Sequence, residues 1–517
     1  MPNTQSPTGY LAITLHTHMP YVRKNGDWPC GEEWILEAWA ECYLPFARLL
    51  RDLARGDATG RFAMTLTPVL AEQLADRYLQ RRLAAYLENK MQQCMEETVR
   101  PRRADDNWKG AIACFYLETY TGLFDEVGSA GGLDLLAMMR RARKAGCLEV
   151  LASAATHGHL PLLPSDTARR VQVEVGLETY RDVFAGYPAG FWLPECAFAP
   201  GHGLAELLAS SGLRYTVLHH SALAEGQSPA RAYSLEGGPV KVLPVHPLPY
   251  DTVWARGGLP SHGNYRDYSK RDIEGHGLQY WRITSLDTPI EGKLPYEHEA
   301  ALTRTREDAF IFVEAVAQDL ARVAQGSPAD YPPLIHACFD TELFGHWWYE
   351  GVDWLRYVLE TAEAHPGLEL VTPSGYLDRV GGAGMDALRP GETSWGLREN
   401  FYTWSNPLTQ EMLETVRRCE TRMREAASHP PNLDATPQRS ALDQALRELL
   451  LLQSSDWPFM VTREQAADYA RERFASHLER FERLLAMASG SVDGAALAVI
   501  GELDHIFPTL SFREYAI

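Results

Sequence analysis

Residues 10–18 read Tyr10-Leu11-Ala12-Ile13-Thr14-Leu15-His16-Thr17-His18, a mostly apolar run that ends in two histidines. It is short for a helix and lacks the polar alternation of a strand with one wet face. It therefore predicts a strand covered on both sides over Tyr10–His16. The pattern recurs along the chain. Arg61–Thr67 (RFAMTLT), Leu148–Ala152, Gly190–Pro194 (GFWLP), Tyr215–Leu218, Leu334–Phe339 (LIHACF) and Glu369–Thr372 read as further strands. Helical segments lie between them, at Glu33–Arg55, Val69–Glu97, Asp106–Glu126, Leu133–Ala145, Ser165–Phe184, Gly201–Ser211, Glu299–Ala324 and Val352–Ala364. Gly146 closes one of these, Ser165 caps another, and a short helix capped near Pro373 follows the last strand.

Buried strands alternating with helices imply a parallel sheet with helices on its faces. About seven strands predict an α/β fold, an incomplete parallel (β/α)7 barrel with helical insertions. No G-x-G-x-x-G or P-loop string follows any strand, which disfavours a nucleotide fold. The region 222–277 reads as irregular, rich in Gly and Pro, with only Val240–Val245 strand-like. Composition shifts after Gly381–Gly384. Residues 385–517 read as a C-terminal all-α domain, with helices at Ser440–Gln453 and Arg463–Ala488 and a loop at His429–Thr436. The expected division is 1–384, a catalytic barrel, and 385–517, a helical domain contributing to the substrate groove.

The chain has 517 residues, and Lys+Arg 49 against Asp+Glu 68 gives a net charge of −19. That acidity argues against nucleic acid and anionic membranes as partners. Thirteen Trp and 23 Tyr are more than a core of this size calls for. Flat aromatic faces suit the stacking of pyranose rings. The eight cysteines are scattered without a C-x-x-C pair, and Cys114, Cys147 and Cys338 read as buried free thiols. Met1–Gly9 carries no signal-peptide pattern, and no window is apolar enough to span a membrane, so a cytoplasmic location is expected.

In parallel barrels the chemistry sits at the C-terminal ends of the strands. Here those ends carry His16 and His18, then His157 and His159, then Glu195, then Asp340 and Glu342. Two carboxylates on opposed strands suit glycoside chemistry, about 5–5.5 Å apart for retention and roughly 6.5–9.5 Å for inversion. Their apolar flanks, Trp192–Pro194, Cys196–Phe198 and Cys338–Phe339, favour raised carboxyl pKa values. A lone carboxylate at a strand end is more often a helix cap or ion-pair partner, for Glu195 and Asp340 alike, and Trp347 and Trp348 equally fit plain core. His16 and His18, two apart on a strand, are expected to diverge, so no metal ion is expected between them and Asp340.

At these residues the sequence resembles glycoside hydrolase family 57, in its α-1,4-glucan branching enzyme group. The strings that carry the resemblance are His16-Thr17-His18-Met19-Pro20-Tyr21, Trp28-Pro29-Cys30-Gly31-Glu32, Thr156-His157-Gly158-His159, Trp192-Leu193-Pro194-Glu195-Cys196-Ala197, Phe339-Asp340-Thr341-Glu342 through Gly345-His346-Trp347-Trp348, Ser394-Trp395-Gly396 and Ser455-Asp456-Trp457-Pro458-Phe459. The resemblance implies a 1,4-α-glucan branching enzyme, a retaining catalyst that needs no cofactor. Glu195 would be its nucleophile and Asp340 its acid/base. His16 and His157 would hold sugar hydroxyls or the carboxylates in the first subsite, with His18 and His346 also binding substrate. Trp28, Trp254, Trp395, Trp404 and Trp457 would be stacking platforms, with Asp456 positioning the acceptor. An α-glucan polysaccharide is the implied partner, for a monomer or small homo-oligomer.

The resemblance is weaker between Glu195 and Trp254, where the chain is shorter than in that group, and in Leu259–Tyr268, which lacks the group's Gly-Asp-Pro string. Tyr233 is the one aromatic in Ala222–Gly238, and Gln227–Gly238 is expected to be a lid with Tyr233 as its cover. A short lid implies hydrolysis beside transfer. The rival readings are an α-glucan hydrolase or 4-α-glucanotransferase on the same scaffold, a zinc-dependent polysaccharide deacetylase, and a non-catalytic glucan-binding protein.

Overall fold

The computed structural model describes residues 7–103, 106–129, 132–326, 331–381, 385–430 and 436–516. Ten strands are formed among them: β1 (Gly9–His16), β2 (Phe62–Thr65), β3 (Leu148–Ser153), β4 (Gly190–Trp192), β5 (Tyr215–Leu218), β6 (Tyr233–Leu235), β7 (Lys241–Pro244), β8 (Leu334–Asp340), β9 (Leu368–Leu370) and β10 (Ala387–Leu388). Seven of them lie side by side and parallel in the order β7-β5-β4-β3-β2-β1-β8. The sheet curls until the N–H of His246, just past β7, donates to the His336 carbonyl in β8 at 2.9 Å. No β7–β8 strand pair forms among the described residues, so the barrel is incomplete.

Strand parity decides what faces inward, because successive side chains point to opposite faces. On β1, Leu11, Ile13 and Leu15 join the core shared with the surrounding helices, while Tyr10 and Ala12 join the apolar cluster inside the barrel. Thr14 and His16 share that inward parity. On β8, Ile335, Ala337 and Phe339 pack outward, and the opposite parity falls to His336, Cys338 and Asp340. The β1–β8 register pairs His16 with Asp340, so both strands deliver their last residue to the same rim. Inside, Thr14 and His336 hydrogen-bond at 2.8 Å, which satisfies two buried polar groups.

Most expected elements are present, with differences that have local causes. Val69–Glu97 is two helices, Pro68–Ala75 and Arg77–Val99, because Asp76 leaves the helical region (ψ 121°) and its side chain caps Leu79 N–H. Glu33–Arg55 contains a π-helical turn at Trp39–Tyr43. In the stretch read as irregular, β6 and the helix Pro247–Trp254 form besides β7. The C-terminal part also holds the helices Gln410–Ser428, Asp456–Arg463 and Gly494–Leu503, while its two-residue strand β10 joins β6 in the sheet. Residues 382–384 of the expected boundary and 431–435 of the expected loop lie outside the described residues. All eight cysteines are free, but of the three read as buried only Cys338 is: Cys147 is half-buried and Cys114 is exposed, on the wet face of the helix Trp108–Gly128. No helix among the described residues is long and apolar enough to cross a membrane.

The helix Asp166–Phe184 lies so close to β3 that a Cβ on Gly176 would come within 2.0 Å of the Ser153 carbonyl oxygen. Gly176→Ala is expected to lower the unfolding free energy by about 1–2 kcal/mol, the overpacking cost exceeding the ~1 kcal/mol gained in helix propensity. Urea denaturation measures this, and unchanged stability would mean that helix and strand can separate freely.

A candidate active site between barrel and C-terminal helices

β4 ends at Trp192, and the chain then turns sharply over Pro194–Cys196, with Glu195 at φ 64°, ψ 20° and Cys196 at φ 49°. Non-glycine residues seldom occupy the left-handed region, which costs roughly 1–2 kcal/mol each. His157, beyond β3, does the same at φ 57°. These turns stand beside one cleft of about 440 Å³, lined by His16, His18, His157, Glu195, Asp340, Glu342, His346, Trp395 and Asp456, with Trp34 and Trp347 among its aromatic walls. The expected convergence of strand ends is therefore present.

The two carboxylates sit in different surroundings. Glu195 Oε1 accepts from the Ser455 hydroxyl at 2.8 Å, and Oε2 accepts from the Trp395 indole N–H at 2.9 Å. The Trp395 backbone N–H also donates to the Glu195 carbonyl. Burial pushes the Glu195 carboxyl up, and the Trp395 and Ser455 donors pull it back. Asp340 takes no hydrogen bond from a described side chain. Burial first, then the neighbouring Glu342 and Glu195, push it well above the usual aspartate value. Glu342 is itself pushed up to about 7 by burial, against the pull of the Tyr43 hydroxyl that donates to it at 2.7 Å.

The histidines are tightly engaged. His16 Nε2 and His157 Nε2 lie 3.0 Å apart, His16 Nδ1 meets Thr65 Oγ1 at 2.8 Å, and His157 Nδ1 meets Ser455 Oγ at 2.8 Å. Burial holds both rings well below the ordinary histidine value. His18 Nδ1 meets Thr67 Oγ1 at 3.0 Å, and its Nε2 meets both oxygens of Asp456 at 3.1 Å. His16 and His18 do not diverge as expected: their rings stack at 6.0 Å, because side chains two apart along extended backbone share a face. Each ring nitrogen of the pair is taken by one of these protein partners.

Several expected site residues lie elsewhere. Tyr233 is buried in β6, and its hydroxyl donates to the Ser228 carbonyl. The adjoining Ala230 carbonyl accepts from Leu334 N–H at the first residue of β8, so this segment lies at the barrel end opposite the cleft and is no lid. Trp404 is 1% exposed. It packs on Gly396, where an added Cβ would sit 2.5 Å from its ring, and on His159. It supports the Trp395 turn from behind and offers no face to a sugar. Trp457 is fully buried, its indole N–H donating to the Leu451 carbonyl at 2.8 Å. Trp254 is partly exposed with its ring 6.5 Å from Trp347, and Trp28 is 78% exposed on the loop before the first helix; neither lines the cleft. Sequence reasoning missed Trp34, Ser455 and Thr65 as site residues, and named Glu342 and Trp347 without giving them a place in the site. Glu342 and Ser455 each lie within two residues of an expected site residue. Thr65 carries only the inward parity at the end of β2 as a signal.

Parallel strands whose ends surround a carboxylate-lined, tryptophan-walled cleft define a carbohydrate-active barrel enzyme. A model of glycosyl hydrolase family 57 matches residues 12–252, and one for the C-terminal region of 1,4-alpha-glucan branching enzymes matches 415–515. The chain is 35% identical to a 1,4-alpha-glucan branching enzyme of Thermococcus kodakarensis, over 92% of this chain and 73% of that one. It is 32% identical to a probable 1,4-alpha-glucan branching enzyme of Mycobacterium tuberculosis, over 99% of each. Among solved structures, a family 57-type branching enzyme of Pyrococcus horikoshii superposes with a TM-score of 0.89 at 34% identity, covering 99% of this chain and 97% of that one. The alpha-amylase AmyC of Thermotoga maritima superposes at 0.86 and 28%, covering 98% and 99%. The chain belongs to glycoside hydrolase family 57, among its 1,4-alpha-glucan branching enzymes.

Burial pulls the His18 imidazolium down, but Asp456 foremost, with Glu195 and Glu342, outweighs it and holds the group above 6.5. A histidine raised in the folded state contributes stability fully below its unfolded value and loses it as pH rises through the folded value. Asp456→Asn is expected to lower the His18 midpoint in proton NMR. It should also remove the loss of stability expected of the wild type on going from about pH 6.5 upward through the His18 midpoint.

Proposed function

We propose that Glu195 is the nucleophile and Asp340 the acid/base of a double displacement on α-glucan. The activity is that of a 1,4-α-glucan branching enzyme, which opens an α-1,4 bond and rejoins the released chain as an α-1,6 branch. The observation that carries the residue roles is the asymmetry of the two carboxyls. Two donors on Glu195 favour its ionised form, while burial and two flanking carboxylates favour protonated Asp340. Asp340 gives its proton to the glycosidic oxygen as Glu195 attacks C1, forming a glycosyl ester and releasing the reducing-end part. Asp340, now ionised, takes the proton of an acceptor 6-hydroxyl as that oxygen displaces Glu195 from C1.

Trp34, Trp347 and Trp395 wall the cleft and are the nearest stacking surfaces, with Trp254 and Trp28 further out along the glucan. His346, 3.9 Å from Glu41, is read as a sugar contact. Asp456, fixed by His18, stands where an acceptor hydroxyl would arrive. His16 and His157 hold each other and the nucleophile, and their committed ring nitrogens disfavour a role in holding sugar hydroxyls. The division into 1–384 and 385–517, a cytoplasmic location and a monomer or small homo-oligomer belong to the same proposal.

A second reading, appreciable hydrolysis beside transfer, has its own support: the segment around Tyr233 lies away from the cleft and cannot shield a glycosyl ester from water. Glu195→Gln and Asp340→Asn are each expected to cut turnover of amylose by about 10²–10⁴-fold. Anomeric proton NMR should show wild-type protein making α-1,6 linkages together with new reducing ends. Retention of a tenth of wild-type activity by Glu195→Gln would remove it as nucleophile, and a negligible yield of reducing ends per branch would remove the hydrolytic reading.

A further inference from the structure

We infer that Thr65, at the end of β2 and outside the cleft lining, is a positioning residue whose hydroxyl sets the direction of a hydrogen-bond chain ending on Glu195. The chain runs Thr65–His16–His157–Ser455–Glu195, four hydrogen bonds of 2.8–3.0 Å. The inference rests on Glu195 being the nucleophile.

The direction follows from counting protons. Each contact in the chain holds one proton, and both imidazoles are neutral, since burial holds them well below the ordinary value. A neutral imidazole has one N–H and one acceptor nitrogen. With the Ser455 proton kept inside the chain, where both described partners of its Oγ lie, two arrangements exist. In the first, the Thr65 hydroxyl donates to His16 Nδ1, His16 Nε2–H to His157 Nε2, His157 Nδ1–H to Ser455 Oγ, and the Ser455 hydroxyl to ionised Glu195. In the second every bond reverses, and the chain begins with a proton on Glu195 and ends with His16 Nδ1–H donating to Thr65.

Thr65 distinguishes the two. Its Oγ1 already accepts from the Thr17 backbone N–H at 3.1 Å. In the first arrangement its own proton goes to His16. In the second that proton has no described acceptor, and a buried unpaired donor is costly. Thr65 therefore favours the arrangement in which Glu195 is ionised, against the burial that would protonate it. The two rings also differ in kind: His16 carries Nε2–H and His157 carries Nδ1–H.

The charged and titratable groups around the chain reach it from every side. They are His18 after β1, His159 two residues past His157, Asp340 at the end of β8 and Glu342 just after it, and Asp456 at the start of the helix Asp456–Arg463. All are retained when Thr65 alone is changed.

The experiment has two arms on the full-length protein. In the wild type, ¹⁵N NMR of labelled histidines above the acid limb should show the Nε2–H form at His16 and the Nδ1–H form at His157. Any other pair of tautomers overturns the assignment, whether or not a variant folds. In the second arm, kcat/KM on amylose is followed against pH for Thr65→Val and Thr65→Ser. The valine variant is expected to move the acid limb up by about 0.5–1 pH unit, the effect of losing one hydrogen bond's bias, with KM little changed. Serine should restore the wild-type limb. A valine profile that falls by one factor at all pH values would mean that Thr65 is only structural and would overturn the inference. If instead Glu195→Gln keeps its activity while the tautomers are as stated, it is the nucleophile assignment that fails and not the hydrogen-bond chain.

Discussion

A buried carboxylate is tolerated only when its oxygens are given donors, and Glu195 draws its side-chain donors from a different region of the chain. The Ser455 hydroxyl and the Trp395 indole N–H both belong to the part after residue 385. Charge-assisted hydrogen bonds of this kind contribute roughly 1.5–3 kcal/mol each, and their absence would leave the carboxylate desolvated and unpaired. Completing the site and docking the C-terminal helices are therefore one event. Other contacts across the same junction tie the two parts together: Thr156 with the Leu450 carbonyl, His18 with Asp456, the Tyr21 hydroxyl with the Leu503 carbonyl, and Arg473 with Asn25.

The barrel contributes direction. Parity brings His16, Thr65 and Asp340 inward at the ends of three adjacent strands, and the β1–β8 register places two of them side by side. Beyond the strands, His157 and Glu195 adopt left-handed backbone that a regular loop would avoid. Such conformations persist where the surroundings over-determine them. Here the surroundings are the Trp395 backbone N–H on the Glu195 carbonyl and the Ser455 backbone N–H on the His157 carbonyl. The same segments that donate to the carboxylate also hold the strained turns.

The electrostatics follow from that geometry. Glu195 has two side-chain donors and lies near His18, whose pKa is raised by Asp456, whereas Asp340 faces Glu342 and Glu195. Burial raises both carboxyls, but Asp340 further than Glu195, whose two donors oppose the rise, so the environments set the two groups of one cleft apart. His18 of the barrel rim pairs with Asp456 and so ties the start of a C-terminal helix to the strand ends.

Much was legible in the sequence because it depends on neighbours along the chain. Apolar runs identified the barrel strands, strand ends located Glu195 and Asp340, and the strings around them carried the family. What the sequence could not decide is burial, since it depends on segments hundreds of residues apart. Trp404 and Trp457 look like Trp395 in one dimension, yet Gly396 and His159 enclose the first and a helical core encloses the second. Tyr233 sits in a polar, Gly-flanked stretch that reads as a loop, and only pairing with β7 and β10 makes it a buried strand residue at the wrong end of the barrel. Ser455 and Thr65 are ordinary hydroxyls in sequence. The tertiary structure decided their part, because a hydrogen bond is set by distance and direction between groups, and those are fixed only when the C-terminal helices close over the strand ends.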